Sequence, residues 1–105
     1  MTEQQVRQAQ FTLGLAQKAG KIASGDFAVT GALKSGKALL LVLATDASVN
    51  TEKELVHLAT MSKVKVLKLL PAAELGRAIG KSPRASLVVE DGNFVKMLLK
   101  IVVSG

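Results

Sequence analysis

Five consecutive apolar residues, Leu39-Leu40-Leu41-Val42-Leu43, constrain this chain more than any other segment. The run is of strand length, too short for an ordinary helix, and it has no polar face. A strand that is apolar on both faces must lie between two covering layers, and in an α/β chain those layers are helices. The patterning on either side supplies them. Thr2 and Gln5 have the spacing of a capping box, after which Val6, Ala9, Leu13 and Ala16 recur at helical steps, with Phe11, Leu15 and Ala19 expected to widen the apolar face. Gly20 is placed to end this helix, and Lys21-Ile22-Ala23 reads as a short strand. A second helix is expected from Asp26 to Lys34, with Gly36 as its terminator.

Beyond the central run lies the polar loop Thr45-Asp46-Ala47-Ser48. Asn50 or Thr51 is expected to cap a third helix, with Glu54 completing a box from Thr51. That helix should carry Leu55, Leu58 and Ala59 inward and end near Ser62. Val64, Val66, Leu67 and Leu69 mark the next strand, and Pro71 suits the first turn of a fourth helix ending near Gly80. Leu87-Val88-Val89 is a further strand. Asp91-Gly92 opens a final helix with an expected inner face of Phe94, Met97, Leu98 and Ile101. Helices and strands therefore alternate throughout. The expectation is a three-layer α/β/α sandwich over a roughly four-stranded mixed sheet, with 1–105 as one domain. Ligands of such sheets gather at loops beyond one set of strand ends, here Ser24-Gly25-Asp26, Thr45 to Asn50 and Leu70 to Ala73.

Composition narrows the chemistry. The absence of cysteine excludes disulfides and thiolate metal sites. No apolar run reaches the roughly 18–20 residues of a membrane span, Met1 to Gln5 lack the features of a signal peptide, and a cytoplasmic, monomeric protein is expected. Fourteen Lys and Arg against eight Asp and Glu give a charge of +6, which draws a domain toward polyanions. With no Trp or Tyr and only Phe11, Phe27 and Phe94, a mode that reads backbone and shape is favoured over a platform that stacks many bases.

Motifs that suggest catalysis fail on spacing. Gly76-Arg77-Ala78-Ile79-Gly80-Lys81-Ser82 has three residues between its glycines, where a nucleotide phosphate loop needs four, and it ends a helix rather than beginning one. His57, the only histidine, has just Glu54 one turn away, an ordinary surface pairing. Asp46 follows a strand, but the extra carboxylates that a receiver-type site needs together after the first strand to hold magnesium are not present as a group. No enzyme, cofactor or metal site is expected. Lys63, Lys65 and Lys68 read as the charged protection of an edge strand. Lys18 and Lys21, Lys34 and Lys37, and Arg77, Lys81 and Arg84 fall at helix termini, where side chains and free backbone groups can hold phosphates.

Three blocks together resemble a known family. They are Ala19-Gly20-Lys21-Ile22-Ala23-Ser24-Gly25 leading into Val29 to Ala38, Ala44-Thr45-Asp46-Ala47-Ser48 with Asn50-Thr51, and Glu74-Leu75-Gly76-Arg77-Ala78-Ile79-Gly80-Lys81. Their order and spacing resemble the kink-turn-binding superfamily of large-subunit ribosomal proteins of the seven-Ae and thirty-e types, in its small bacterial YlxQ-like branch. The resemblance implies an α/β/α sandwich and binding of a kink-turn or internal loop in ribosomal or messenger RNA. The implied contacts are Ser24, Gly25, Asp26, Phe27 and Ala28 at the start of the second helix, and Leu70, Pro71, Ala72 and Ala73 before the fourth. Lys21, Lys34, Lys37 and Arg77 are the implied phosphate contacts, and ribosomal proteins are a further expected partner class.

Ribosomal members of that superfamily carry a basic residue before the glycine and an Asn-Glu pair soon after it. Here Ser24 precedes Gly25, and Phe27-Ala28 stand at the Asn-Glu places. Replacing two base-reading side chains lowers discrimination by several kcal/mol. An apolar pair on an exposed loop also suits a protein partner, so the second expectation is an interaction adaptor of the transcription and translation machinery that has lost specific RNA recognition.

Overall fold

In the computed structural model, which describes residues 1–103, five helices flank one four-stranded sheet. The chain runs α1 (Glu3–Lys18), β1 (Ile22–Ser24), α2 (Asp26–Ser35), β2 (Leu40–Leu43), α3 (Val49–Met61), β3 (Lys65–Lys68), α4 (Ala72–Ala78), β4 (Ser86–Val89) and α5 (Gly92–Val103). This is the alternation expected from the patterning. Strand order is β1-β4-β2-β3. β2 and β3 are parallel, whereas β4 lies antiparallel between β1 and β2, so the sheet is mixed.

The all-apolar run behaves as its composition requires. Leu40 and Val42 point to one face, where they pack with Leu13 of α1, Leu75 of α4 and Leu98 of α5. Leu41 and Leu43 point to the other, against Val29 and Leu33 of α2 and Leu55 and Ala59 of α3. Side chains alternate along a strand, so only an unbroken apolar run can feed both cores.

Several local expectations need correction. Leu39 precedes β2; its N–H donates to the Val89 carbonyl, yet its side chain is exposed because it sits at the sheet margin beyond the helices. Leu69 follows β3, and Lys21 precedes β1. Phe11, Leu15 and Ala19 do not widen the buried face of α1: all three are exposed, while Ala9, Thr12, Leu13 and Ala16 are buried and Val6 packs half-buried against the same core. The inner face of α5 is Phe94, Val95, Leu98 and Val102; Met97 is exposed, and it and Ile101 line a groove against Phe11 and Thr12 of α1. One turn of a helix that packs on a neighbouring helix as well as a sheet offers two apolar stripes, and periodicity alone does not rank them.

Helix ends are set by local chemistry. Thr2 and Gln5 form the expected reciprocal box, the Thr2 N–H donating to Gln5 Oε1 and the Gln5 N–H to Thr2 Oγ1. The cap of α3 is Ser48, not Asn50 or Thr51: its Oγ accepts from the Thr51 N–H at 3.2 Å and donates to Thr51 Oγ1 at 2.9 Å. α1, α3 and α4 close with the same pair of backbone bonds, from the residue after the cap and the next one, as in Lys63 N–H to Thr60 O and Val64 N–H to Ala59 O. The residue after the helix has positive φ each time. It is Gly20 after α1 and Gly80 after α4, and Gly36 ends α2 in the same conformation, but after α3 it is Lys63, with φ 59°.

Candidate functional site

Strand directions sort the loops onto two opposite margins of the sheet. β1, β2 and β3 end at one margin, and antiparallel β4 begins there, so Ser24-Gly25, Ala44 to Ser48, Leu69 to Ala72 and Pro83 to Ala85 meet. All three loops expected to gather ligand lie on this margin, and hydrogen bonds tie them together. The Thr45 N–H donates to the Leu70 carbonyl at 2.9 Å, and the Ala72 N–H to Asp46 Oδ1 at 2.9 Å. The Arg84 N–H donates to the Ala72 carbonyl at 3.0 Å, while its guanidinium Nε donates to Ser24 Oγ at 3.3 Å. Arg84 therefore clamps the start of α2 to the start of α4, and its Nη1 is further held by Ser82 Oγ at 2.7 Å. The fixed fork of an arginine suits such simultaneous bonds. The segment before it rests on α4, where Gly76 leaves room for the Ser82 carbonyl; a Cβ there would overlap it.

The first turn of α2 is open. Its N-cap Gly25 has φ 93° and offers no side chain, so no capping group shields the helix N-terminus. The space around Gly25 is empty, and positive φ, rather than crowding, is what requires glycine. Asp26, Phe27 and Ala28 are exposed, and the Phe27 ring is 94% accessible. Asp26, Phe27, Thr30, Gly31 and Lys34 line a groove along the outer face of α2. Across from them, Pro71 and Ala73 are exposed and Ala72 is half-buried. Leu70 is only 2% accessible: its side chain belongs to the core, and it serves the loop through its carbonyl. It is not available as an apolar cover for a ligand. An apolar residue directly after a strand and before Pro71 is drawn inward by the α4 core.

The basic residues do not gather as a rim around this opening. Arg77 is exposed on the last turn of α4. Lys21 precedes β1 and Lys37 precedes β2, so both stand at the opposite margin; three residues of strand put Lys21 about 10 Å from Ser24. Lys34, eight residues along α2 from Asp26, is about 12 Å from it on the same groove. At the element ends that meet here, Asp26, Asp46, Glu52 and Glu74 stand against Lys68 and Arg84, and Lys68 is paired with Glu52 at 2.8 Å. Asp46 and Arg84, neither among the RNA contacts that the resemblance implies, build the site by holding its loops. Both hold partners distant in sequence, Ala72 for Asp46 and Ser24 for Arg84, and this left no signal in the local pattern.

Catalytic alternatives find no support in the geometry. The segment from Gly76 to Ser82 ends α4 and starts no helix. His57 is exposed on α3, and among the described residues no three acidic or histidine side chains gather to hold a metal ion. No described helix is long and apolar enough to cross a membrane.

Comparison with known proteins agrees with this architecture. Residues 7–98 match the ribosomal protein L7Ae/L30e/S12e/Gadd45 family. The chain is 37% identical over 90 residues to the RNA-binding protein YlxQ of Bacillus subtilis, covering 86% of this chain and 90% of that protein. It is 30% identical to the RNA-binding protein YlxQ of Enterococcus faecium, covering 97% and 98%. A solved structure of a protein of unknown function from Bacillus halodurans superposes with a TM-score of 0.85 at 30% identity, covering 90% of this chain and 96% of the other.

Proposed function

This chain belongs to the ribosomal protein L7Ae/L30e/S12e/Gadd45 family, and on that premise we propose that it is an RNA-binding domain spanning 1–105 that grips a bent internal loop in ribosomal or messenger RNA. The family is non-enzymatic, so the activity is recognition. The observation that carries the reading is the open first turn of α2, where unshielded N–H groups stand beside a fully displayed Phe27 ring. A helix N-terminus favours a phosphate, and an aromatic face in solvent gains most by covering an unstacked base. In a sharply bent RNA those two features lie close together. Pro71 and Ala73 form the second wall, with Ser24, Gly25, Asp26 and Ala28 on the first, and the Arg84 clamp fixes the width between them.

Because Phe27-Ala28 stand where ribosomal members read bases, the domain recognises bent shape more than sequence. The test is a pair of RNA hairpins, one with a kink-turn internal loop and one with that loop fully paired. The whole chain should prefer the bent hairpin. Phe27→Ala should weaken that binding by about 1–3 kcal/mol, the usual worth of one stacked base. Equal affinity for both hairpins, or full binding by Phe27→Ala, overturns the reading. The same exposed ring also suits an apolar pocket on a protein, including a ribosomal protein. Under that second reading a protein partner survives nuclease treatment during purification and is lost with Phe27→Ala.

A further inference from the structure

The margin opposite the open turn collects six lysines. α1, α2 and α3 all end there, and β1, β2 and β3 all begin there. This places Lys18, Lys21, Lys34, Lys37, Lys63 and Lys65 along one edge, against only Glu90 and Asp91. Asp91 is already engaged, accepting from the Asn93 N–H at 2.8 Å as the cap of α5. All six lysines are exposed, and none forms an ion pair among the described residues. Strands spaced about 4.8 Å apart spread the row roughly 14 Å from β1 to β3. We infer that this lysine edge is a second, sequence-blind contact for the phosphate backbone of a double-stranded RNA stem.

Two observations point past the ordinary role of lysines at helix C-termini, which is to offset the helix dipole. The first is Lys63. Glycine fills the left-handed position after α1, α2 and α4, yet after α3 a lysine adopts φ 59°, a conformation costly for a residue with a Cβ. Strain retained where glycine would serve marks a side chain kept for function. The second is the division of charge. The margin bearing Phe27 has no net excess of basic groups, so long-range attraction to a polyanion has to come from elsewhere on the surface. Lysines on flexible stems, without arginine forks, fit phosphates at irregular spacing rather than base edges.

This inference rests on the RNA-binding reading but has a separate test. The full chain, Phe27→Ala, the triple variant Lys37→Gln/Lys63→Gln/Lys65→Gln and the single variant Lys63→Gly are titrated with poly(A)·poly(U) duplex between about 50 and about 200 mM salt. For the parent chain, log affinity should fall linearly with log salt. The triple variant should flatten that slope by about 2, at roughly 0.7–0.9 for each phosphate no longer neutralised, and Lys63→Gly by just under one. Phe27→Ala should keep the parent slope on duplex while losing the bent hairpin, which separates failure of one site from failure of the other. An unchanged slope in the triple variant overturns the inference, as does absence of duplex binding by the parent at low salt. Tighter binding of the parent to phosphatidylserine vesicles than to duplex also overturns it and assigns the edge to a lipid surface. Lys63→Gly keeps the test decisive if the triple variant folds poorly, since glycine is the residue that position favours.

Discussion

The Asp46 carboxylate accepts the backbone N–H of Ala72 at 2.9 Å, across 26 residues of chain. α4 begins with Pro71 as its N-cap, which supplies no side-chain acceptor, so Asp46 caps that helix from the loop after β2. A carboxylate is favoured at this position both as a hydrogen-bond acceptor and as a negative charge at the positive end of the helix dipole. One bond thus fixes the start of a seven-residue helix and the height of the Pro71–Ala73 wall above α2. Asp46→Ala should destabilise the protein by about 1 kcal/mol, with Asp46→Asn recovering part of the loss because an amide oxygen still accepts. Urea denaturation of the three proteins checks this; equal midpoints would show that α4 holds its place without the cap.

The Arg84 clamp makes a different demand. Arg84→Lys keeps the charge but not the fork that reaches Ser24 Oγ and Ser82 together. We expect a stability loss on the order of 1 kcal/mol, as for a few partly exposed hydrogen bonds. We also expect a larger proportional fall in affinity for the bent hairpin, since the two walls would no longer be held in register. If Lys at this position binds the hairpin like the parent chain, the walls are positioned by the core alone.

Gly76 tests the seat on which that clamp is built. Its missing Cβ is where the Ser82 carbonyl lies, and the obstruction is backbone rather than a movable side chain. Gly76→Ala should cost roughly 1–3 kcal/mol, in the range of other overpacked sites, despite alanine's better helix propensity. A thermal melt reads the outcome, and a variant as stable as the parent would mean that the 82–83 segment moves freely.

Lys63→Gly should do the reverse. Relief of the left-handed conformation is worth about 1–2 kcal/mol and is offset in part by the greater freedom of glycine in the unfolded chain. The net expectation is a gain of about 0.5–1 kcal/mol in chemical denaturation, set against weaker binding to duplex RNA. A variant that loses stability would place Lys63 among the groups that hold α3 in position.

Much of this architecture is legible in the residues because the signals are local. The capping box of Thr2 and Gln5, the run Leu40 to Leu43 and the turn at Gly25 each involve neighbours within a few positions, and each is where the pattern puts it. The misreadings share one cause. Met97 and Leu98 are equally apolar, as are Phe11 and Leu13, and only the neighbour that packs against them decides which is covered. Ser48, Asn50 and Thr51 are all good caps, and the choice depends on where the chain leaving β2 turns.

The sequence by itself determined the kinds of elements, their order and the sandwich that an apolar strand between amphipathic helices requires, because hydrophobic period and capping act over one or two turns. The tertiary structure alone decided the margin to which each charged residue goes. That choice follows from strand direction: β4 enters antiparallel between β1 and β2, bringing Arg84 to Ser24 and leaving Lys21 and Lys37 at the far edge. Strand pairing joins residues some sixty positions apart, as Ser24 and Leu87 show, through a backbone ladder that carries no mark of side-chain identity.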